Sequence, residues 1–443
     1  MWNGCARVAG SLPRFALVSR LLRRGAPLNF FHELGLAIVD RWCRADFDQA
    51  AFSDIAADVL RERPPSAHVD PFDVVRWVHE TPVLVPQADI DSKFGQPPIT
   101  VFRTEGFSID VLFWVDGTTA IHQHGFSGAF HVMQGSSLQS TYRYARTRRY
   151  SEQLLSGQLD LVGVELLVRG DVRPILAGAG LVHALFHLDR PSVSVVVRTP
   201  SDAFAGPQYT YSRSGLAWDP FAKSEAAVRK SQTLDLLHTL EHPEFERLAR
   251  ALVQRADAFL AFRILTRLAK RFESQDKYAA FLESVRPSHA DLLGPLKAYA
   301  EEERRDEYII ARRRLAKQPE HRFLLALLLN LPARGPIFDV IRRAFPGPEP
   351  AATVLRWLRE LAKIDAINAW VTDVSTGSAR AEAPQISDVG LDERALEVAR
   401  CLLEGATDDA VVDRLRGAQS RADVLATCES LRGSSLLGPL FLA

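Results

Sequence analysis

The chain has 443 residues, more than one hydrophobic core usually organises, so we expect two domains or one domain with a large appendage. Hydrophobic residues make up 47% and charged residues 24%, which is typical of a folded globular protein and excludes a disordered or fibrous class. The 54 basic and 54 acidic side chains cancel, so no global field favours nucleic acid or an anionic membrane as a partner.

The first part of the chain is basic and then becomes helical in pattern. Residues 1–28 carry five arginines and no acidic residue, and we interpret them as a basic N-terminal extension rather than a transit peptide. Between residues 29 and 80, apolar residues recur at three- and four-residue spacing, which predicts helices. One of these helices is expected to begin at Asp70 or Pro71.

A β-rich region follows from about residue 98. It is rich in Val, Ile, Phe, Thr and Tyr, and glycines divide it into short segments. Short strands with regular turn signals predict an antiparallel sandwich or barrel over roughly residues 98–212. With the preceding helices, this region forms a predicted domain at residues 29–223.

After residue 224 the apolar period becomes helical, which predicts an α-helical domain at 224–370, a polar linker at 371–388 and C-terminal helices at 389–443. The apolar run that starts at Phe323 has about half of the ~20 residues that a membrane span needs, so it indicates a buried helix and no membrane partner. These helices could pack on the barrel or on a second subunit, which would make a homodimer. The predicted fold class is therefore α+β and multidomain, an antiparallel β-barrel followed by an α-helical domain.

Two histidines stand one residue apart in "AIHQHGFSGAFHVMQG". Alternate residues of a strand point to one face, so the rings of His122 and His124 would meet, as two ligands of one metal ion must. The later segment "GLVHALFHL" offers His183 and His187 as a third ligand. If a strand restarts at Gly128, His131 faces away from the site, at the surface or in a second layer.

This arrangement resembles the two-part motif of the cupin superfamily: an HxH pair, a glycine at Gly135, and a histidine after a Gly/Pro-rich turn. Most metal-binding cupins have a glutamate where this chain has Gly128. The remaining set, His122, His124 and His183, is similar to that of the cysteine dioxygenase type of thiol dioxygenase. The resemblance implies iron(II), with half of its coordination sphere open to a substrate and dioxygen.

The resemblance also implies a place for the substrate. Arg103 lies where an upstream arginine of that family holds the substrate carboxylate, and a guanidinium suits a carboxylate. The family's Ser-His-Tyr relay would fall at Ser194, Val196 and Arg198, so only the serine is kept. Arg198 would then face either an acidic group of the substrate or solvent.

The leading hypothesis is thus a mononuclear non-heme iron dioxygenase that acts on a small thiol or related molecule with O₂. One alternative is a metal-binding cupin without redox chemistry that serves as a small-molecule sensor or assembly module. Another is a zinc-dependent enzyme, because three histidines and a water also suit Zn²⁺.

The four cysteines are scattered and indicate neither a disulfide framework nor a thiolate metal site, so we expect a cytoplasmic location.

Overall fold

The computed structural model of the chain describes residues 26–88, 90, 94–202, 205–272, 274–376 and 386–442. Residues 1–25 of the predicted N-terminal extension and residues 377–385 of the predicted linker lie outside this description. The described chain forms two compact units, one of residues up to 163 and 167–299, the other of residues 164–166 and 300–443. The boundaries predicted at residues 28, 223, 370 and 388 stay predictions.

From residue 26 onward, where the description begins, four helices precede the strands: α1 (Ala26–Arg44), α2 (Phe52–Glu62), α3 (Pro65–His68) and α4 (Pro71–Glu80). In α2, Phe52, Ala56 and Leu60 are buried, so one face is apolar at helical spacing. The α4 helix begins as predicted, because the Asp70 carboxylate accepts a hydrogen bond of 2.8 Å from the Phe72 amide and Pro71 occupies the first turn.

Antiparallel strands fill the predicted β region and continue slightly beyond it. They are β1 (Pro98–Arg103), β2 (Ser108–Trp114), β3 (Ile121–His124), β4 (Gly128–Gln134), β5 (Ser137–Arg149), β6 (Leu154–Leu167), β7 (Val172–Ile175), β8 (Gly178–His187), β9 (Ser192–Arg198), β10 (Thr210–Tyr211) and β11 (Leu216–Trp218). One sheet has the order β1-β2-β9-β4-β7, and six strands close into a barrel in the order β10-β11-β6-β5-β8-β3. The predicted antiparallel barrel and α+β class are confirmed.

The five-stranded sheet is buried on both faces. Val193, Val195 and Val197 of β9 join the hydrophobic cluster that also contains residues of α1, α2 and α4. Val196, between them, belongs to a second cluster with Phe130 of β4. Because successive side chains of a strand point to opposite faces, the helices cover one face of the sheet and the second cluster lies on the other.

Helices follow the strands: α5 (Glu225–Thr239), α6 (Phe245–Arg255), α7 (Ala258–Leu268), α8 (Gln275–Arg312), α9 (Pro319–Asn330), α10 (Arg334–Ala344), α11 (Pro350–Thr376), α12 (Glu393–Leu403), α13 (Asp408–Arg414) and α14 (Arg421–Gly433), with a final 3₁₀ turn (Gly438–Leu440). The α8 helix is kinked at His289, where φ is −139°. In the first unit, Phe262 of α7 packs with Leu154 and Leu216 of the barrel strands.

In the second unit, every residue of α9 from Phe323 to Leu329 is buried. A helix that is apolar all round must be covered on every side, so the prediction of a buried helix is confirmed. Among the described residues, no helix has the length and apolarity needed to cross a membrane.

The cysteines differ from the expectation. Cys401 and Cys428 are free and buried, but Cys43 is disulfide-bonded. Cysteine usage therefore does not support a reducing compartment, and the cytoplasmic location stays a prediction.

Candidate metal centre

The structure brings His122, His124 and His183 together, although 59 residues separate the last two. His122 lies directly opposite His183 in the antiparallel pair of β3 and β8, and His124 follows on the same face of β3. The three ring centroids lie 4.7, 4.9 and 5.0 Å apart. One nitrogen from each ring can be chosen so that all three lie within 4.8 Å of one another.

Hydrogen bonds fix which nitrogen of two rings points inward. Nδ1–H of His122 donates to the Ala120 carbonyl at 2.8 Å, and Nδ1–H of His183 donates to the Gln139 side-chain oxygen at 3.3 Å. A neutral imidazole carries one proton, so these bonds leave the Nε2 lone pair of each ring for another partner. Gln139 was missed from the sequence, because it occupies a polar position of the alternating pattern of β5, which is typical of a solvent-facing residue, whereas its side chain is buried.

The inward nitrogens fit a bound metal ion. Nε2 of His124 and His183 lie 3.0 Å apart, close to the ~3.0 Å expected of two nitrogens ~2.1 Å from one ion at a right angle. Without a metal, His124 Nε2–H would donate to His183 at that distance. Such a hydrogen bond does not account for His122, whose Nε2 is buried and has no hydrogen-bond partner among the described residues.

Burial keeps all three rings neutral. It lowers the pKa of His122 below its ordinary value. It lowers the pKa of His124 and of His183 further, because protonated neighbouring histidines would add repulsion. Neutral imidazole is the form that binds a metal, so at neutral pH no histidine of the cluster has to lose a proton before a metal ion binds.

Close backbone packing excludes a carboxylate ligand at Gly128. A Cβ at this position would lie 1.9 Å from the Val197 carbonyl oxygen of the neighbouring strand β9. No side chain fits there without a shift of the two strands. Gly135 has φ +75°, and a Cβ there would lie 2.9 Å from Asp189, so it too requires glycine.

His131 and His187 lie outside the cluster. His131 faces the other side of its sheet, as its position in β4 predicts, but it is fully buried beneath α3, where its Nε2 accepts a hydrogen bond of 3.2 Å from the Ser66 amide. Burial, followed by the charge of Arg169, lowers the pKa of His131 to about 4. His187 Nδ1 is 2.8 Å from the Ser137 hydroxyl, and its ring stacks on Trp114 at 4.5 Å.

The two arginines have protein partners. Arg103 is exposed at the end of β1 and donates to the Gln87 carbonyl at 2.9 Å. Arg198 donates through Nε to the buried Asp110 carboxylate at 2.8 Å, and its guanidinium lies 5.6 Å from the Phe126 ring centroid. The acidic group that Arg198 meets here is thus the protein's own, and the substrate-binding roles of both arginines stay predictions.

The chain matches no protein-family model and no curated protein. Part of it is similar to a hydroquinone 1,2-dioxygenase from Sphingomonas sp. TTNP3 with 4-hydroxybenzoate bound (11% identity, TM-score 0.20, covering 24% of this chain and 68% of that one). Another similar structure is a hydroquinone 1,2-dioxygenase in complex with Cd²⁺ and 4-hydroxybenzonitrile (19% identity, TM-score 0.19, covering 26% of this chain and 69% of that one). A third is a Klebsiella pneumoniae protein with a double-stranded β-helix domain (20% identity, TM-score 0.17, covering 30% of this chain and 98% of that one).

The fold and the site together define an α+β protein with an antiparallel barrel that carries a buried three-histidine cluster. The donor set and the ring orientations suit a divalent metal ion.

Proposed function

We propose that this chain is a mononuclear non-heme iron dioxygenase of the cupin type, resembling cysteine dioxygenases, in which His122, His124 and His183 hold the metal. The observation that carries the proposal is the convergence of three buried, neutral imidazoles, with the Nε2 of His122 left without a protein partner. Three histidine nitrogens would leave coordination positions of a bound metal ion open to other ligands.

The protein's own residues prepare this site. Gln139 and the Ala120 carbonyl hold two rings with their lone pairs inward, and Gly128 leaves no room for a fourth, anionic ligand. Bound iron(II) would supply the vacant coordination positions at which a thiol and dioxygen react. The proposed reaction balances without an added reductant: RSH + O₂ → RSO₂H, with the sulfur oxidised and both oxygen atoms retained in the sulfinic acid.

Oxygen consumption by the iron-loaded full-length chain, measured with a panel of small thiols, tests the proposal. We expect uptake that depends on one or more thiols, incorporation of both atoms of labelled dioxygen into a sulfinate, and loss of uptake in His122→Ala. The matched control is His187→Ala, which removes a buried histidine of β8 outside the cluster.

Two results would contradict the proposal. Zinc as the native metal, without oxygen uptake after iron loading, would favour a hydrolytic or hydration site. Metal binding with no uptake, combined with a rise in melting temperature on addition of a small molecule, would favour a sensor or assembly module.

A further inference from the structure

Each histidine of the cluster has a phenylalanine ring beside it. The three rings come from separate segments: the loop before β1, the β3–β4 turn and strand β4. The ring-centroid distances are 6.2 Å for Phe94 and His122, 4.8 Å for Phe126 and His124, and 6.4 Å for Phe130 and His183. We call Phe94, Phe126 and Phe130 the phenylalanine collar.

The collar continues an apolar wall of the five-stranded sheet. Phe130 lies opposite Val196 in the pairing of β4 and β9, and both belong to one cluster with Leu112 and Trp114. Phe126 packs against the same cluster. A substrate between this wall and the histidines therefore meets hydrocarbon and aromatic surface.

Among the described residues, the arginines next to the collar have acidic partners. Arg173, directly opposite Phe130 in the pairing of β4 and β7, lies 3.8 Å from the Asp171 carboxylate. Arg198 lies over Phe126 but is paired with Asp110, which is 3% exposed and also accepts hydrogen bonds from Thr100 at 2.7 Å and Ser108 at 3.0 Å. A substrate carboxylate would have to displace a buried carboxylate that is held by three donors.

The collar also reaches from the surface to the interior. Phe94 is 39% exposed, whereas Phe130 is 5% exposed. His122, beside Phe94, is the most exposed of the three histidines at 8%. The Phe94 side is therefore the more exposed side of the cluster.

We propose that the ligand this site selects is an uncharged molecule with an aromatic ring, and that zwitterionic amino thiols such as cysteine bind weakly. The inference rests on the proposed function and names its substrate class. An aromatic ring gains contact with the collar, whereas an ammonium or carboxylate group would lose water and, among the described residues, would meet arginines that already have acidic partners. Phe94, at the entrance, is the specificity-determining residue.

The test uses the full-length chain loaded with Co²⁺ and kept anaerobic, with benzyl mercaptan, ethanethiol and cysteine as probes. The sulfur-to-cobalt charge-transfer absorption reports thiol binding without turnover. We expect benzyl mercaptan to bind at least about ten-fold more tightly than cysteine, with ethanethiol between them.

Variants at the entrance separate the collar from general packing. Phe94→Ala should weaken benzyl mercaptan binding by about ten-fold, and Phe94→Leu by less. Ethanethiol binding should change little in either variant. The matched control is Phe72→Ala, which removes a 49% exposed phenylalanine ring packed on Phe113 in another part of the fold.

The inference would be overturned if the protein bound cysteine and benzyl mercaptan with equal affinity, or if folded Phe94→Ala bound benzyl mercaptan as tightly as the wild type does. Neither result would contradict the proposed metal site. Failure of the wild-type protein to bind Co²⁺ would overturn the proposed function, and the inference with it.

Discussion

Gln139 determines which nitrogen of His183 faces the cluster, because its side-chain oxygen accepts the Nδ1 proton. Replacing it by leucine removes the acceptor and lets either tautomer form. We expect Gln139→Leu to lower metal affinity by about 10- to 100-fold, as measured by competition with a chelator.

Gln134→Leu is the matched control for that prediction, because Gln134 lies in β4 and, within the described part of the chain, its side-chain amide makes only a long hydrogen bond of 3.5 Å to the Pro191 carbonyl. Equal metal affinity of Gln139→Leu and the wild type would show that Gln139 does not orient His183.

His131 makes the stability of the fold depend on pH. Burial holds its pKa at about 4, below the ordinary value of 6.5, so the unfolded chain takes up a proton first as the pH falls. The contribution of neutral His131 to the free energy of unfolding is therefore complete above pH 6.5. It decreases by up to about 3 kcal/mol as the pH falls towards about 4.

Urea unfolding at several pH values tests this dependence. His131→Gln keeps an acceptor for the Ser66 amide and removes the titration. We expect the variant to lose less unfolding free energy between pH 7 and pH 4 than the wild type does; parallel pH dependences would contradict the assignment.

At the residue scale, the sequence predicted which three histidines meet and could not predict what orients them. Strand alternation placed His122 and His124 on one face, and the later histidine followed from the cupin resemblance. Gln139 and Phe94 contact the histidines only through the register of distant strands and the path of a loop. No local pattern encodes those contacts.

Strands β4 and β9 approach so closely at Gly128 that their pairing depends on the absence of a side chain. The Gly128 amide also donates to the Ser53 hydroxyl of α2 at 3.2 Å, which fixes the helix against this sheet. We expect Gly128→Ala to lower the free energy of unfolding by about 1–3 kcal/mol or more, and Gly128→Glu to prevent folding rather than add a ligand.

Thermal and urea unfolding of both variants measures the effect. Gly163→Ala is the control, because a Cβ there would make an ordinary contact of 3.6 Å with Thr141. A folded Gly128→Glu protein with higher metal affinity would contradict this account of the site.

At the scale of elements, short strands and amphipathic helices were predictable because the period of their apolar residues is local. The burial of His131 was not, because it depends on α3 covering a strand 65 residues further along the chain. The sequence indicated the direction of the side chain and left open what lies over it.

For the whole molecule, metal binding should stabilise the fold through the first unit, residues up to 163 and 167–299, which contains the histidines. Metal at about 100 times its dissociation constant adds about 2.7 kcal/mol to the unfolding free energy of a protein that binds it only when folded. We expect the metal to raise the melting temperature of the wild type and not of His183→Ala.

Leu325→Ala distinguishes this effect from general stability. Leu325 is fully buried in α9 of the second unit, and its truncation should cost about 2–5 kcal/mol without changing the metal content. Loss of metal from folded Leu325→Ala protein would show that metal binding depends on an intact second unit.

Metal content is the measurement closest to the central claim. Elemental analysis of protein purified anaerobically without added metal, alongside His122→Ala, His124→Ala and His183→Ala, should find about one iron per chain in the wild type and none in the variants, with His187→Ala unchanged. A folded wild-type protein that takes up no metal on reconstitution, or the same metal content in all four variants, would contradict the three-histidine site.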